Sequence, residues 1–209
     1  MNITICDELK EKGVKVAFAV IKNANIVNKN AQLELEKKEF VEKIDWLKVE
    51  SSTIFEGYQR LYSDKNEVPP ALAILKLIKK NGRFPNINTV VDSYNLISAK
   101  TFFSIGAHDV ANIRKDIQFI ITTGQEKYTP LGSSELKKIS SGTYAAVDDE
   151  KVICYLDQKQ CDETKITKDT KEFLIYVQGN ENTSQEEVEE VLQEVIKKIV
   201  KHCGGTVIH

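Results

Sequence analysis

The feature that most constrains this chain is a change of hydrophobic period near residue 115. Before that point apolar residues recur mainly at three- and four-residue spacings, as in helices that bury one stripe. After it they alternate or cluster in short β-branched runs, as in strands. From about Asn30, Leu33, Phe40, Val41, Ile44 and Leu47 predict a surface helix, with Glu and Lys between them. Thr53 followed by Glu56 reads as a capping box opening a helix that carries Phe55, Tyr58 and Tyr62. Pro69-Pro70 starts another, because proline's missing N–H costs nothing in a first turn, and Asn81-Gly82 ends it. Pro85 introduces a further helical pattern, with Val90, Val91, Tyr94 and Ile97 on one side.

Strands are predicted at 14–21, 117–122 and 172–177, and 143–147 pairs with 151–156 across the turn Asp148-Asp149-Glu150. A last helix begins at Ser184 with Glu187 completing a capping box, and Gly204-Gly205 stops it. Helices early, strands in the middle and a closing helix predict an α+β fold: a mixed, largely antiparallel sheet covered by helices rather than a repetitive βαβ domain. With no internal repeat or low-complexity linker, 1–209 reads as a single domain: an N-terminal strand and helices (1–66), a core (67–180), and a C-terminal helix and tail (181–209).

A hydrophobic fraction of 41% is enough for a sizeable core and excludes disorder as the main state. Lys plus Arg (29) against Asp plus Glu (31) gives a net charge of −2, which argues against blanket adhesion to nucleic acid or membrane. Arg60, Arg83 and Arg114 are the only arginines, so a polyanion would be held mainly by lysines. No apolar run approaches the ~18 residues of a membrane helix, and the N-terminal residues lack signal-peptide character, so a cytoplasmic location without membrane partners is expected. Cys6, Cys154, Cys161 and Cys203 form no CxxC pair and read as reduced thiols. With His108, His202 and His209 the only histidines, neither a metal site nor another cofactor is expected.

Phosphate-binding loops, G-x-G-x-x-G, H-E-x-x-H and G-x-S-x-G are all missing, so an ATPase, a zinc hydrolase and a serine hydrolase lack support. Three polar clusters remain. Asp92 and Asn95 lie one helical turn apart within an apolar run; they either serve a ligand or satisfy buried backbone groups. In the segment 105–109, Gly106 and Ala107 leave room for a ligand or tight packing, and His108 is expected to titrate near neutrality. The third, 161–170, is a polar stretch between apolar strands, read from composition as a solvated loop.

Taken in order, Asn88-Thr89-Val90-Val91-Asp92-Ser93-Tyr94-Asn95, Gly106-Ala107-His108-Asp109, Leu131-Gly132, and Glu163-Thr164 leading to Asp169-Thr170 resemble the tRNA-editing module of the phenylalanyl-tRNA synthetase beta subunit. The resemblance runs from about Pro69 to Val177. It implies a pocket that hydrolyses the ester of tRNA wrongly charged with tyrosine, with Asn95 as a pocket asparagine and Glu163 as the carboxylate that recognises the tyrosine hydroxyl. Tyr94 stands where that family has a threonine, and Gly106 where it has a histidine.

The expected function is a trans-acting aminoacyl-tRNA deacylase. Asn95 and His108 serve as catalytic groups that position water or the ester. Glu163, Thr164, Tyr94 and Gly106 line the substrate site, and Lys76, Lys79, Lys80 and Arg83 contact RNA. An ester at a tRNA terminus is already activated, so a site that positions water and stabilises an oxyanion suffices without a covalent nucleophile. The expected partner is tRNA or aminoacyl-tRNA, not DNA. The alternatives are a non-catalytic module that binds tRNA or an amino acid, and a small-molecule binder without an RNA surface. Nothing resembles an aminoacylation domain, so the chain is not a complete tRNA ligase.

Overall fold

The computed structural model describes residues 1–62 and 66–208. In chain order, β1 (Ile3–Ile5), α1 (Asp7–Glu11) and β2 (Lys15–Lys22) lead into α2 (Ala31–Glu42), α3 (Trp46–Glu50), α4 (Thr53–Leu61), α5 (Pro70–Asn81) and α6 (Thr89–Thr101). There follow β3 (Ser104–Asp109), β4 (Ile117–Ile121), β5 (Lys127–Tyr128), β6 (Lys137–Lys138), β7 (Tyr144–Val147), β8 (Val152–Tyr155), β9 (Lys159–Gln160), β10 (Glu172–Gly179), α7 (Gln185–Cys203) and β11 (Thr206–Val207).

The fold is α+β, with the strands divided between two main sheets. One runs β1-β4-β7-β8-β9, in which only β1 and β4 are parallel; the other runs β11-β2-β10-β3 and is wholly antiparallel. β10 explains why two layers form. It is buried on both faces, and alternate residues serve different cores. Phe173, Ile175 and Val177 pack with apolar residues of α6 and α7, whereas Leu174 and Tyr176 pack with Phe119, Tyr144 and Ala146 of the other sheet. A third cluster joins α2, α5 and α6 through Leu33, Leu75, Ile78 and Leu96.

The predicted elements form with local adjustments. The helix opening at Asn30 stops at Glu42 instead of continuing through Leu47; Asp45 caps a separate short helix by accepting from Leu47 and Lys48 backbone N–H. Thr53 is not a cap: Ser52 precedes α4 without a side-chain capping bond, and Glu56 pairs instead with Arg60 at 3.7 Å. The box at Ser184 and Glu187 forms as expected. So does the pairing of β7 with β8, with a register shift at Ala146/Val147. Pro70 occupies the first turn of α5, and Gly82 ends that helix in the left-handed region at φ 66°. The segment 161–170 is not a solvated loop, since Cys161, Thr164, Ile166 and Thr170 are buried.

Candidate active site

β3 is an edge strand of its sheet, and the groove beside it is closed by α5, α6 and the turn between β8 and β9. The result is a cleft of about 210 Å³. Pro70, Ala73 and Ile74 of α5 make an apolar wall, while Asn95, His108, Asp157 and Gln160 bring polar groups. This combination is what small-ligand sites share.

His108 is buried, and its imidazole stacks on Tyr176 with ring centroids 5.7 Å apart. Its Nδ1 lies 2.8 Å from Thr164 Oγ1 and 3.4 Å from Gln160 Nε2. The Gln160 amide is oriented by donating to the Ala107 carbonyl at 3.0 Å, so its nitrogen faces Nδ1. An amide nitrogen only donates; Nδ1 is therefore the acceptor and the proton sits on Nε2. Cys161 Sγ, 3.1 Å from Thr164 Oγ1, extends the same relay. Among the described residues Nε2 itself has no partner, and it is shielded from solvent. Burial pushes the imidazole down to about 3, with only partial opposition from Asp148. The expected titration near neutrality is thus overturned: His108 is a neutral, oriented N–H donor at physiological pH.

Gly106 has a definite packing reason. It faces Tyr176 across the β3–β10 ladder, and a Cβ there would lie 2.5 Å from the tyrosine hydroxyl. The Tyr176 ring thus crosses the space that a side chain at position 106 would claim, and it carries His108 on its face. A histidine at position 106, as in the resembled family, would not fit beside this tyrosine.

α6 separates the roles of Asp92 and Asn95. Asn88 caps the helix by accepting from the Val91 N–H at 3.0 Å and donates to the Ile166 carbonyl, which ties α6 to the segment after β9. Asp92 turns toward α2, accepting from Lys37 at 2.7 Å and from the Ile87 N–H at 2.9 Å. Its side chain is 2% exposed and that of Lys37 4%. Burial raises its carboxyl above the usual range, and the Lys37 hydrogen bond opposes this. Asp92 therefore belongs to structure. Asn95, one turn later, is half-buried on the cleft beside buried Tyr94.

The turn after β8 places Asp157. Leu156 and Asp157 both have positive φ, 49° and 58°, at the centre of a turn closed by the Gln158 N–H on the Tyr155 carbonyl at 3.3 Å, yet neither is the glycine that adopts this region most cheaply. Leu156 is buried, and Asp157 accepts on Oδ2 from the Tyr62 hydroxyl and from Gln178 Nε2, both at 3.1 Å. Gln178 in turn accepts from the Tyr144 and Tyr58 hydroxyls on its side-chain and main-chain oxygens. Burial lifts the Asp157 carboxyl to about 7, against lowering by these donors. The sequence reading missed Asp157, because a lone aspartate in a turn carries no motif; the available signal was Leu-Asp where a hairpin ordinarily uses Gly or Asn.

Of the predicted site residues, Tyr94, Asn95, Gly106 and His108 meet in the cleft. Thr164 lies behind it, bonded to His108. Glu163 is not brought there: it is exposed, 3.7 Å from Lys151 Nζ, and does not line the cleft. Lys76, Lys79, Lys80 and Arg83 are exposed on the C-terminal half of α5 and just past it, beyond the turns that line the cleft. Lys79 pairs with Glu50 at 3.3 Å and lies over the Trp46 ring. Among the described residues, no group of three or more His, Cys, Asp or Glu is placed to hold a metal, and no helix is long and apolar enough to cross a membrane.

The fold and cleft define a two-sheet α+β module with a small polar-floored site at a sheet edge. The chain belongs to the B3/4 domain family, whose model matches residues 56–204. Over 99% of its length it is similar in fold to an N-terminal fragment of the phenylalanyl-tRNA synthetase beta subunit from Pyrococcus horikoshii, with a TM-score of 0.54 and 15% identity. It spans 50% of that fragment. The two comparisons support the resemblance drawn from the sequence. No curated protein matches the chain.

Proposed function

We propose that the protein is a trans-acting aminoacyl-tRNA deacylase, hydrolysing the ester of mischarged tRNA in the β3 cleft. The observation that carries this reading is the unpaired Nε2–H of a neutral, buried His108 on the cleft that also holds Asn95. A fixed donor of this kind suits an ester carbonyl, whose oxygen gains charge as water attacks, and it needs no reorganisation when the charge develops. Asn95 supplies an amide able both to donate and to accept, which fits it to orient the attacking water. Proton transfer to the leaving ribose oxygen falls to water or to the substrate, since His108 stays neutral. The lysines and Arg83 at the end of α5 are the candidate tRNA contacts, acting on phosphates.

A non-catalytic binding module is the second reading, and it draws support from Glu163, whose place outside the cleft leaves the amino acid without the reader that the resemblance implies. The separating experiment incubates the purified chain with a panel of mischarged tRNAs and follows ester loss. Turnover on at least one supports the deacylase; binding without turnover on all of them supports the module.

A further inference from the structure

The Asp157 turn is not part of the sequence resemblance and has no role in polarising the carbonyl. It nevertheless holds a carboxylate against the cleft at a conformational cost, on two consecutive non-glycine residues in the left-handed region. Among the described residues, the Tyr62 and Gln178 hydrogen bonds to that carboxylate both end on Oδ2, and Asp157 lines the cleft. Among the described residues, the groups that face it are Tyr58 from α4, Tyr62 just past that helix, Tyr144 from β7, Cys154 from β8, and Tyr176 and Gln178 from β10. Burial holds these phenols and the thiol well above their ordinary range, so all remain neutral. Among the described residues, no lysine or arginine is among the groups that act on it, and Lys159, two positions on, is paired with Glu67 at 3.2 Å. A desolvated carboxylate with hydrogen bonds but no counter-ion is incomplete.

We infer that Asp157 is the receptor for the protonated α-amino group of the ligand, so that the cleft selects compounds with a free primary ammonium beside a carbonyl. The inference rests on the deacylase reading only for the identity of the carbonyl compound, an aminoacyl ester. Asp157 fixes the ammonium, His108 meets the carbonyl oxygen, and the two contacts orient the ester between them. Because the pair needs an ionised carboxyl and a protonated amine, binding peaks near neutral pH. It falls on the acid side as Asp157 gains a proton and on the alkaline side as the amine, with a pKa of roughly 7.7–8, loses one.

The test titrates the full chain at pH 7 with L-alaninamide and, separately, with N-acetyl-L-alaninamide, following amide and side-chain signals of Asp157, Gln178 and His108 by NMR. The expected result is saturable binding of the amine and binding of the acetylated compound weaker by roughly tenfold to a hundredfold, the worth of one hydrogen bond to a charged group. Asp157→Asn should bind both alike and lose the acid limb of the pH profile. Asparagine adopts the left-handed region readily, so the variant keeps the turn. The acetyl comparison on the natural chain tests the inference without any variant. Equal binding of the two compounds, no saturable binding of alaninamide, or a preference that survives in Asp157→Asn would overturn it. Should the amine preference hold while no mischarged tRNA is hydrolysed, the deacylase reading falls and this inference stands. Should N-acetylated and free aminoacyl-tRNA be hydrolysed equally well, the reverse is true.

Discussion

Asp92 and Asp157 are both carboxylates raised by burial, yet they sit in opposite electrostatic company. Asp92 has Lys37 at 2.7 Å and a backbone N–H, and its ion pair clamps α6 to α2. Among the described residues, Asp157 has neutral donors and no cation beside it, and it lines the cleft. Burial alone does not mark a functional group: the completed charge is architecture, and the uncompleted one lines the cleft.

The sharpest way to break this contrast is to remove each carboxylate. Asp92→Ala removes the buried carboxylate from Lys37, which keeps Glu34 at 2.7 Å, and should cost about 3 kcal/mol in urea unfolding. Asp157→Asn should cost nothing at pH 8, where it relieves an unpaired charge. Comparable losses from both would erase the distinction. Gly106→Ala comes next. Its methyl group displaces Tyr176 and the His108 ring stacked on it, with an expected loss of about 1–3 kcal/mol and a disturbed His108 signal.

A subtler test uses pH. Asp157 goes from 3.8 unfolded to about 7 folded, so the folded state binds the extra proton between them, and stability falls as pH rises through that window. His108 goes from 6.5 to about 3; here the unfolded state binds the extra proton, and stability is lost as pH falls below 6.5. Between about pH 4 and 6.5 the two slopes oppose each other, each at most about 1.4 kcal/mol per pH unit. Asp157→Asn should uncover a rising limb and His108→Phe a falling one. Parallel curves for both variants would show that neither group is perturbed as described. The smallest effect on the fold is expected at the exposed basic residues. Replacing Lys79, Lys80 and Arg83 together with Ala should change stability by no more than about 0.5–1 kcal/mol. It should nonetheless flatten the salt dependence of tRNA binding, by up to about 0.9 log unit per lost duplex phosphate contact.

Periodicity exposed the long elements: α5, α6, α7, β2, β4 and β10 lie close to where residue spacing puts them. The division into two sheets was hidden, because β10 is apolar on both faces and a strand that serves two cores shows no alternation to reveal it. β3 was hidden for a related reason. Gly106, Ala107 and His108 read as a polar, small-residue segment, although Gly106 is there to admit Tyr176, a residue seventy positions away in the chain. Asn95 and His108, singled out by motif, both line the cleft. Asp157 depends on Tyr62 and Gln178, contacts that only the tertiary fold assembles.

The central claim is that the cleft acts on an ester through a neutral His108 donor. Single-turnover hydrolysis of mischarged tRNA, natural chain against His108→Phe, tests it most directly, because phenylalanine keeps an aromatic ring beside Tyr176 and removes both nitrogens. The account predicts ester loss that slows by about 10²–10³-fold in the variant. In the natural chain, no inflection near pH 6.5 should arise from the histidine. No hydrolysis by the natural chain on any mischarged tRNA, or an unchanged rate in His108→Phe, would contradict it.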